Sequence, residues 1–187
     1  MKHPKLELEL STTDRKVDLI QEGFDCVLRV GFAADPGVMA RPIGQVEVIN
    51  CVSSGYLQRY GRPESLADLE EHQLVHYATA LGTRPGGFEY FDGQSYREVA
   101  MRGCVTVNNS DAYQQACLAG LGVIQVPRVG VQAYLDDGTL VEVLPELRSE
   151  PMQIALLYPH RRHLSGRVKA FMDWLEALVR DYLERAP

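Results

Sequence analysis

Short apolar segments along the chain predict β-strands joined by helices. The clearest example is GCVTVNNSDAYQQACLAGLGVIQVPR, residues 103–128. Residues 104–107 form an apolar run rich in β-branched side chains, which is typical of a buried strand. Residues 112–119 suit a helix that ends at Gly120, and residues 123–126 return as a strand. This stretch predicts a strand–helix–strand unit, with a right-handed crossover if its strands are parallel.

The flanking sequence repeats this arrangement. Residues 6–10 alternate Leu and Glu, which predicts a half-buried strand. A short helix with Val17 and Ile20 on its inner face should follow, before another strand at residues 24–30. The longest helix begins at Ser165, and its broad apolar face predicts a core contact. The remaining predicted elements are strands at 45–52, 74–77, 139–144 and 152–158, a hairpin at 88–91 and 96–101, and helices at 53–59, 66–71 and 128–135.

Composition narrows the class of protein. The chain has 187 residues, 45% hydrophobic and 24% charged, enough for one large domain or two small lobes. Its formal net charge of −6 argues against binding a nucleic-acid backbone by this chain alone. No apolar run could span a membrane and no signal peptide is evident, so we expect a cytoplasmic protein. The cysteines have unrelated spacings and are interpreted as buried, reduced thiols: Cys26, Cys51, Cys104 and Cys117.

No sequence motif supports catalysis. A G-x-S-x-G elbow, a P-loop, an H-E-x-x-H pair and a complete G-x-G-x-x-G are all missing. His72 and His76 are four residues apart, but the interval runs from a helix end into a strand, which does not suit a metal site. We therefore predict no catalytic residue, metal or cofactor. Arginines at 29, 84 and 128 are better candidates, because a guanidinium can pair bidentately with a carboxylate ligand.

The strongest candidate site follows the strand at 104–107. Asn108, Asn109, Ser110 and Asp111 all favour helix N-caps, since a side-chain oxygen can accept a free backbone N–H. This position, beyond the carboxyl end of a strand and at a helix N-terminus, is where open α/β sheets bind ligands. The same residues would be needed merely to cap the helix, so both interpretations stay open.

Five segments together resemble a known family. They are VDLIQEGFDCVLRVG at 17–31, MARPIG at 39–44, CVSSGYLQRYG at 51–61, residues 107–127, and YPHRRHLSGRVKAFMDWL at 158–175. In this order they resemble the effector-binding domain of LysR-type transcriptional regulators, over nearly the whole chain.

The resemblance implies an α/β fold of two lobes, like type II periplasmic binding proteins, each lobe a mixed sheet flanked by helices. Lobe I would contain residues 1–49 and 158–187, and lobe II residues 50–157, with a small-molecule effector in the cleft. A carboxylate is one candidate for this effector, because of the arginines. Loops at strand ends would contact the effector. On this chain those positions are Ser11, Thr12, Thr13, Gly31, Phe32, Ser53, Asn108, Asn109, Ser110, Val126, Pro127 and Arg128.

Two departures from the family pattern matter. The winged helix-turn-helix is absent, so DNA binding would belong to the intact regulator, which we expect to be a homodimer or tetramer with no membrane partner. The first strand and helix of the domain also have no counterpart, because residues 6–10 match the second strand. Either the chain is a fragment, or its neighbouring strands pair directly, or another chain fills the gap. The competing functions are a solute-binding receptor of a transport system and an enzyme on the same fold.

Overall fold

The chain forms two compact units. A computed structural model describes residues 7–32, 37–83, 85–160 and 164–185. Unit 1 comprises Met1–Gln45 with Gln153–Pro187, and unit 2 is Val46–Met152. Within the described ranges, no helix has both the length and the apolar composition needed to cross a membrane.

Unit 1 is built on a three-stranded sheet and the terminal helix. Its strands are β1 (Val27–Val30), β2 (Val38–Val46) and β10 (Met152–Pro159), in the order β1-β10-β2. Helix α4 (Gly166–Arg185) begins where Ser165 was predicted to start it, and the Ser165 Oγ accepts the N–H of Val168 at 3.3 Å. Side chains from β2, β10 and α4 supply most of the buried apolar core of this unit: Ile43, Ile154, Ala155, Leu156 and Met172.

The predicted strand at residues 6–10 is wrong. Residue 6 lies outside the described ranges, and residues 7–10 have no regular structure. Leu8 is 51% exposed and Leu10 83%. A strand needs a partner for its backbone groups, and no strand pairs with this segment among the described residues. Direct pairing of residues 7–10 with β1, one of the three possibilities above, is therefore not observed.

The helix predicted after Asp14 is replaced by a single turn. Asp18 Oδ1 accepts the N–H groups of Ile20 and Gln21, at 3.0 and 2.9 Å, so a side chain caps the turn. Val17 is buried as expected, but the second buried residue is Leu19, and Ile20 is 61% exposed. A helix this short has too few hydrogen bonds to offset the cost of nucleation, so local capping determines its shape.

Unit 2 is organised around β3 (Val48–Ser53), whose six residues are all buried. Two antiparallel neighbours flank it, β8 (Ile124–Pro127) and β9 (Leu140–Glu142). The short strands β4 (His76–Tyr77) and β7 (Thr106–Val107) are parallel to each other. A parallel bridge between Leu74 and Val123 connects them to β8, which gives the spatial order β7-β4-β8-β3-β9.

Both faces of this sheet are covered. Helices α2 (Ser110–Leu118) and α3 (Arg128–Asp136) pack on one face, with Ile49 and Cys51 beneath them. The other face carries Val52 and is covered by helix α1 (Ser54–Tyr60), a 3-10 helix at Ala67–Glu71, and a hairpin. The hairpin strands are β5 (Phe88–Phe91) and β6 (Tyr96–Val99), which confirms the predicted hairpin. Residues that alternate along β3 thus serve two cores, as a doubly covered strand requires.

Two further predictions need correction. The single strand predicted at 45–52 is divided, because β2 ends at Val46 and β3 begins at Val48. The apolar face of α4 is only partly core: Met172 is buried, whereas Trp174, Leu178 and Tyr182 are 48–56% exposed. Periodicity identified the helix correctly but could not show which part of its apolar surface has a partner.

Candidate functional site

Several strand ends of unit 2 meet at one edge of the sheet. Strands β4, β7 and β8 run in the same direction, so their carboxyl ends lie together, and antiparallel β3 begins at that edge. The Ala78 N–H donates to the Val107 carbonyl at 2.9 Å, just beyond β4 and β7. We call this the carboxyl-end edge and define it by residues 78, 108–111, 126–128 and 47. Two predicted groups, Asn108–Ser110 and Val126–Arg128, therefore lie at the same edge.

Helix α2 begins at the carboxyl-end edge. Asn109 is its N-cap, with φ −142° and ψ 136°, and its Oδ1 accepts the Ala112 N–H at 3.0 Å. The capping interpretation is thus confirmed for Asn109. Asn108, Asn109 and Ser110 are exposed, so the helix N-terminus faces solvent while its other end is anchored in the core.

Tyr113, one turn into α2, fixes the helix against the sheet. Its ring meets that of Tyr77 edge-on, with centroids 5.4 Å apart. Its hydroxyl accepts the backbone N–H of Gln125 at 3.0 Å, and burial raises the pKa of this phenol well above its usual range. On the other side, the Gln114 Nε2 donates to the Gly130 carbonyl of α3 at 3.0 Å. These contacts hold the two helices that start at the carboxyl-end edge in a fixed arrangement.

A buried amide network supports β8 from the opposite face. The Asn50 Nδ2 donates to the carbonyls of Leu144 and Leu147, at 3.0 and 2.9 Å. Its Oδ1 accepts from Gln125 Nε2 at 2.8 Å, and the same nitrogen donates to the Glu89 carbonyl at 2.7 Å. Asn50 is fully buried, so these polar groups satisfy one another in place of water.

Arg128 belongs to a cluster of four charged side chains, the ionic cluster, with Glu47, Glu142 and Arg148. Arg128 donates from Nε to Glu47 Oε2 at 3.1 Å, and from Nη2 to Glu142. Arg148 donates to Glu142 Oε1 from Nε at 3.0 Å and from Nη2 at 2.6 Å, and to Glu47 from Nη1. Each arginine therefore contacts both glutamates, and the four formal charges cancel.

The other predicted contact residue of unit 2, Ser53, lies elsewhere. It ends β3, whereas the carboxyl-end edge coincides with the start of that strand. Its Oγ accepts the Tyr56 N–H at 3.3 Å as the N-cap of α1, and only 4% of the residue is exposed. The structure thus separates Ser53 from Asn108–Ser110 and Val126–Arg128.

In unit 1, Arg29 connects β1 to the preceding segment. Its Nη1 donates to the carbonyls of Thr13 and Asp14, at 3.2 and 3.3 Å, and its Nη2 donates to that of Arg15. Gly31 follows β1 with a φ of 64°, which favours glycine, and its N–H donates to Gln153 at 2.9 Å. Among the predicted contact residues of this unit, Ser11, Thr12, Thr13 and Gly31 are exposed and Phe32 is half-buried.

The remaining candidates have structural surroundings or fall outside the described ranges. His72 Nδ1 is 3.1 Å from the Tyr56 hydroxyl, and His76 Nδ1 is 3.2 Å from the Gly86 carbonyl. Within the described ranges, no three His, Cys, Asp or Glu side chains are grouped as metal ligands. All four cysteines are free, but Cys104 is exposed, contrary to prediction. Arg84 lies outside the described residues.

Sequence reasoning missed Glu47, Glu142 and Arg148. Glu47 is 81 positions from Arg128 and 101 from Arg148, so no local pattern predicts these pairs. The only signal was indirect: charged residues within or beside predicted strands need a partner when they are partly buried.

Comparison with known proteins identifies relatives. The family model described as the LysR substrate binding domain matches residues 1–180. The Escherichia coli (strain K12) HTH-type transcriptional regulator YhjC is 47% identical over 182 residues, 97% of this chain and 61% of that protein. The chain spans 55–61% of the length of eight curated relatives that it matches.

Solved structures agree with this assignment. The full-length Vibrio cholerae virulence activator AphB, described as a member of the LTTR protein family, has a TM-score of 0.76 and 29% identity. The match covers 95% of this chain and 59% of AphB. The regulatory domain of AphB from Vibrio vulnificus has a TM-score of 0.73 and 28% identity, covering 95% of this chain and 86% of that domain.

Proposed function

Because the chain belongs to the LysR family of transcriptional regulators, as a regulatory domain with the two-lobed periplasmic-binding-protein-like fold, we propose that unit 2 binds a small-molecule effector at its carboxyl-end edge. The observation that carries this proposal is the meeting of Asn108–Ser110 with Val126–Arg128 at one edge, although they are far apart in sequence. The family is one of transcriptional regulators and not an enzyme family.

The edge offers suitable chemistry for holding a small polar molecule. The N-terminus of α2, where Asn109 caps the helix, directs the positive end of the helix dipole toward this exposed edge. The exposed Asn108 amide can both donate and accept a hydrogen bond. In unit 1, Ser11, Thr12, Thr13, Gly31 and Phe32 remain predicted effector contacts.

The transcriptional response to the effector would require the intact regulator. The curated relatives are HTH-type regulators that extend beyond the part matched by this chain. We propose that this further part of the intact regulator binds DNA, because the chain itself carries a net charge of −6. The effector would favour one arrangement of a homodimer or tetramer through its different affinities for the alternative states. A cytoplasmic location agrees with DNA binding and with four free cysteines.

A screen by thermal unfolding tests the effector site. A compound present at about ten times its Kd should raise the Tm of the chain by about 3–6 °C. The variant Asn108→Ala should reduce that shift without lowering the Tm of the free protein, because Asn108 is exposed. Gln58→Ala, an exposed amide on α1, is the matched control and should keep the full shift.

Two results would reject the proposal. The first is that no compound in a broad metabolite library stabilises either this chain or a regulator that includes the helix-turn-helix segment. The second is a stabilising compound whose effect is unchanged by Asn108→Ala and by Arg128→Ala.

A further inference from the structure

The geometry of the ionic cluster points to the chemical class of the effector group that meets Arg128. We propose that this group is a neutral oxygen acceptor, such as a carbonyl, hydroxyl or ether, and not a carboxylate. The inference rests on the effector site proposed above, and it concerns only the contact made by Arg128.

Arg128 is held in place but keeps one open nitrogen. Its Nε and Nη2 are occupied by Glu47 and Glu142. Among the described residues, none accepts from Nη1. Nη1 is not among the buried side-chain atoms that lack a hydrogen-bond partner in the described ranges, so it is accessible to solvent. The guanidinium therefore presents a fixed, unoccupied N–H donor at the carboxyl-end edge.

The charge around this donor is already balanced. Arg148 uses all three of its side-chain nitrogens on Glu47 and Glu142, so it adds no open cationic group. Asp111, in the first turn of α2, adds a further negative charge at the same edge. The ionic cluster sums to zero, and with Asp111 the edge carries a formal charge of −1.

This balance distinguishes acids from neutral ligands. A carboxylate at Arg128 Nη1 would be attracted by the guanidinium and repelled by the glutamates that flank it, and it would lose its own hydration. A neutral oxygen needs only a hydrogen-bond donor, loses less hydration and meets no net repulsion. Arg128 therefore selects for a hydrogen-bond acceptor and not for negative charge.

The test follows the Arg128 Nε–Hε signal by NMR in the isotopically labelled chain, assigned with Arg128→Lys. N-methylacetamide is the neutral probe, sodium acetate is the acid, and sodium chloride at the same ionic strength corrects for salt. N-methylacetamide should shift the signal saturably, and acetate should shift it no more than chloride. The Nε signal of Arg180, an exposed arginine paired with Glu176 on α4, is the internal control and should show no saturable shift.

Removing one negative charge from the ionic cluster should weaken the preference of Arg128 for the neutral probe over acetate. In Glu142→Gln, acetate should gain apparent affinity by about threefold or more, while N-methylacetamide should be nearly unchanged. The remaining NMR signals show whether Glu142→Gln is folded. If it is not, Glu47→Gln provides the same test. A saturable acetate shift in the parent chain that equals the amide shift would overturn the proposal, and so would the absence of any saturable shift with either probe.

This failure can be told apart from failure of the proposed function. If acetate binds Arg128 as well as the amide does, but library compounds still lose their stabilising effect in Asn108→Ala, the effector site stands and only its chemical class is wrong.

Discussion

Replacing Asn50 by Leu should destabilise unit 2 substantially. Asn50 is fully buried in β3, and its side chain makes three hydrogen bonds, to the carbonyls of Leu144 and Leu147 and to Gln125 Nε2. Leucine has the same branching, so the change removes the hydrogen bonds and largely keeps the shape. The partners are left behind in a sheet that is covered on both faces.

The magnitude follows from three lost hydrogen bonds, one of which leaves an acceptor without a partner among the described residues. A buried polar group without a partner costs about 1–3 kcal/mol. That group is the Leu147 carbonyl, whereas the Leu144 carbonyl keeps the Leu147 N–H at 2.9 Å and Gln125 Nε2 keeps the Glu89 carbonyl at 2.7 Å. The contacts with Leu144 and Gln125 should therefore cost only the net value of a hydrogen bond, about 0.5–1.5 kcal/mol each. After about 1 kcal/mol is regained from the added apolar surface, we expect a net loss of about 3 kcal/mol. This is a large share of the roughly 5–15 kcal/mol by which a domain is stable.

Urea denaturation measures this loss with two probes. Circular dichroism reports both units, whereas the single tryptophan, Trp174 on α4, reports unit 1. In Asn50→Leu the dichroism transition should move to lower urea. If the units unfold independently, the fluorescence transition should stay in place. Gln58→Leu, an exposed position on α1, should cost less than about 0.5 kcal/mol. A loss below 1 kcal/mol in Asn50→Leu, or one equal to this control, would contradict the account of the amide network.

Two further predictions concern a histidine and a glycine of unit 2. Burial lowers the pKa of His72, whose Nδ1 faces the Tyr56 hydroxyl, so the unfolded chain binds the proton more readily. Stability should therefore fall as the pH drops through about 6.5, and His72→Gln should show a smaller fall in urea midpoint between pH 7.5 and 5.5. Gly122 has a φ of 155°, and a Cβ there would lie 2.5 Å from the Gln73 carbonyl oxygen. Gly122→Ala should lower the free energy of unfolding by about 2 kcal/mol or more, measured by thermal unfolding. Gly55→Ala is the control and should be neutral or stabilising, because no atom lies close to the added Cβ. Equal Tm values for the two variants would refute the clash at Gly122.

Local signals explain which elements could be predicted from sequence. The hairpin at Phe88–Phe91 and Tyr96–Val99 has an Asp-Gly turn, and Asp92 Oδ1 accepts the N–H groups of Gln94 and Ser95, at 2.8 Å each. The N-cap of α2 was likewise predicted, because the Asn109 side chain accepts the backbone N–H of Ala112, only three residues later. Such features are encoded within a few positions, so they can be recognised without knowing the rest of the fold.

Features that depend on distant partners could not be predicted in the same way. The alternation of Leu and Glu in residues 6–10 is typical of a strand, but an alternating segment becomes a strand only when another strand pairs with it. The exposed Trp174 and Leu178 on α4 show the same limit for a helix. The two contact groups at the carboxyl-end edge were each identified from sequence, but the separation of Ser53 from them follows from the antiparallel direction of β3, which no local pattern specifies.

The ionic cluster shows why residue type alone is a poor guide to ligand charge. From sequence, Arg128 suggested a partner for a carboxylate, because a free guanidinium near the end of a strand attracts anions. At an effective dielectric constant of about 20, one unit charge 4 Å away contributes about 4 kcal/mol, so each neighbouring glutamate is as important as the arginine itself. Glu47 and Glu142 both contact Arg128, and Arg148 then restores neutrality. We therefore expect Arg128 to keep its donor geometry and to lose its net attraction for anions, a property that depends on four residues from distant segments of the chain.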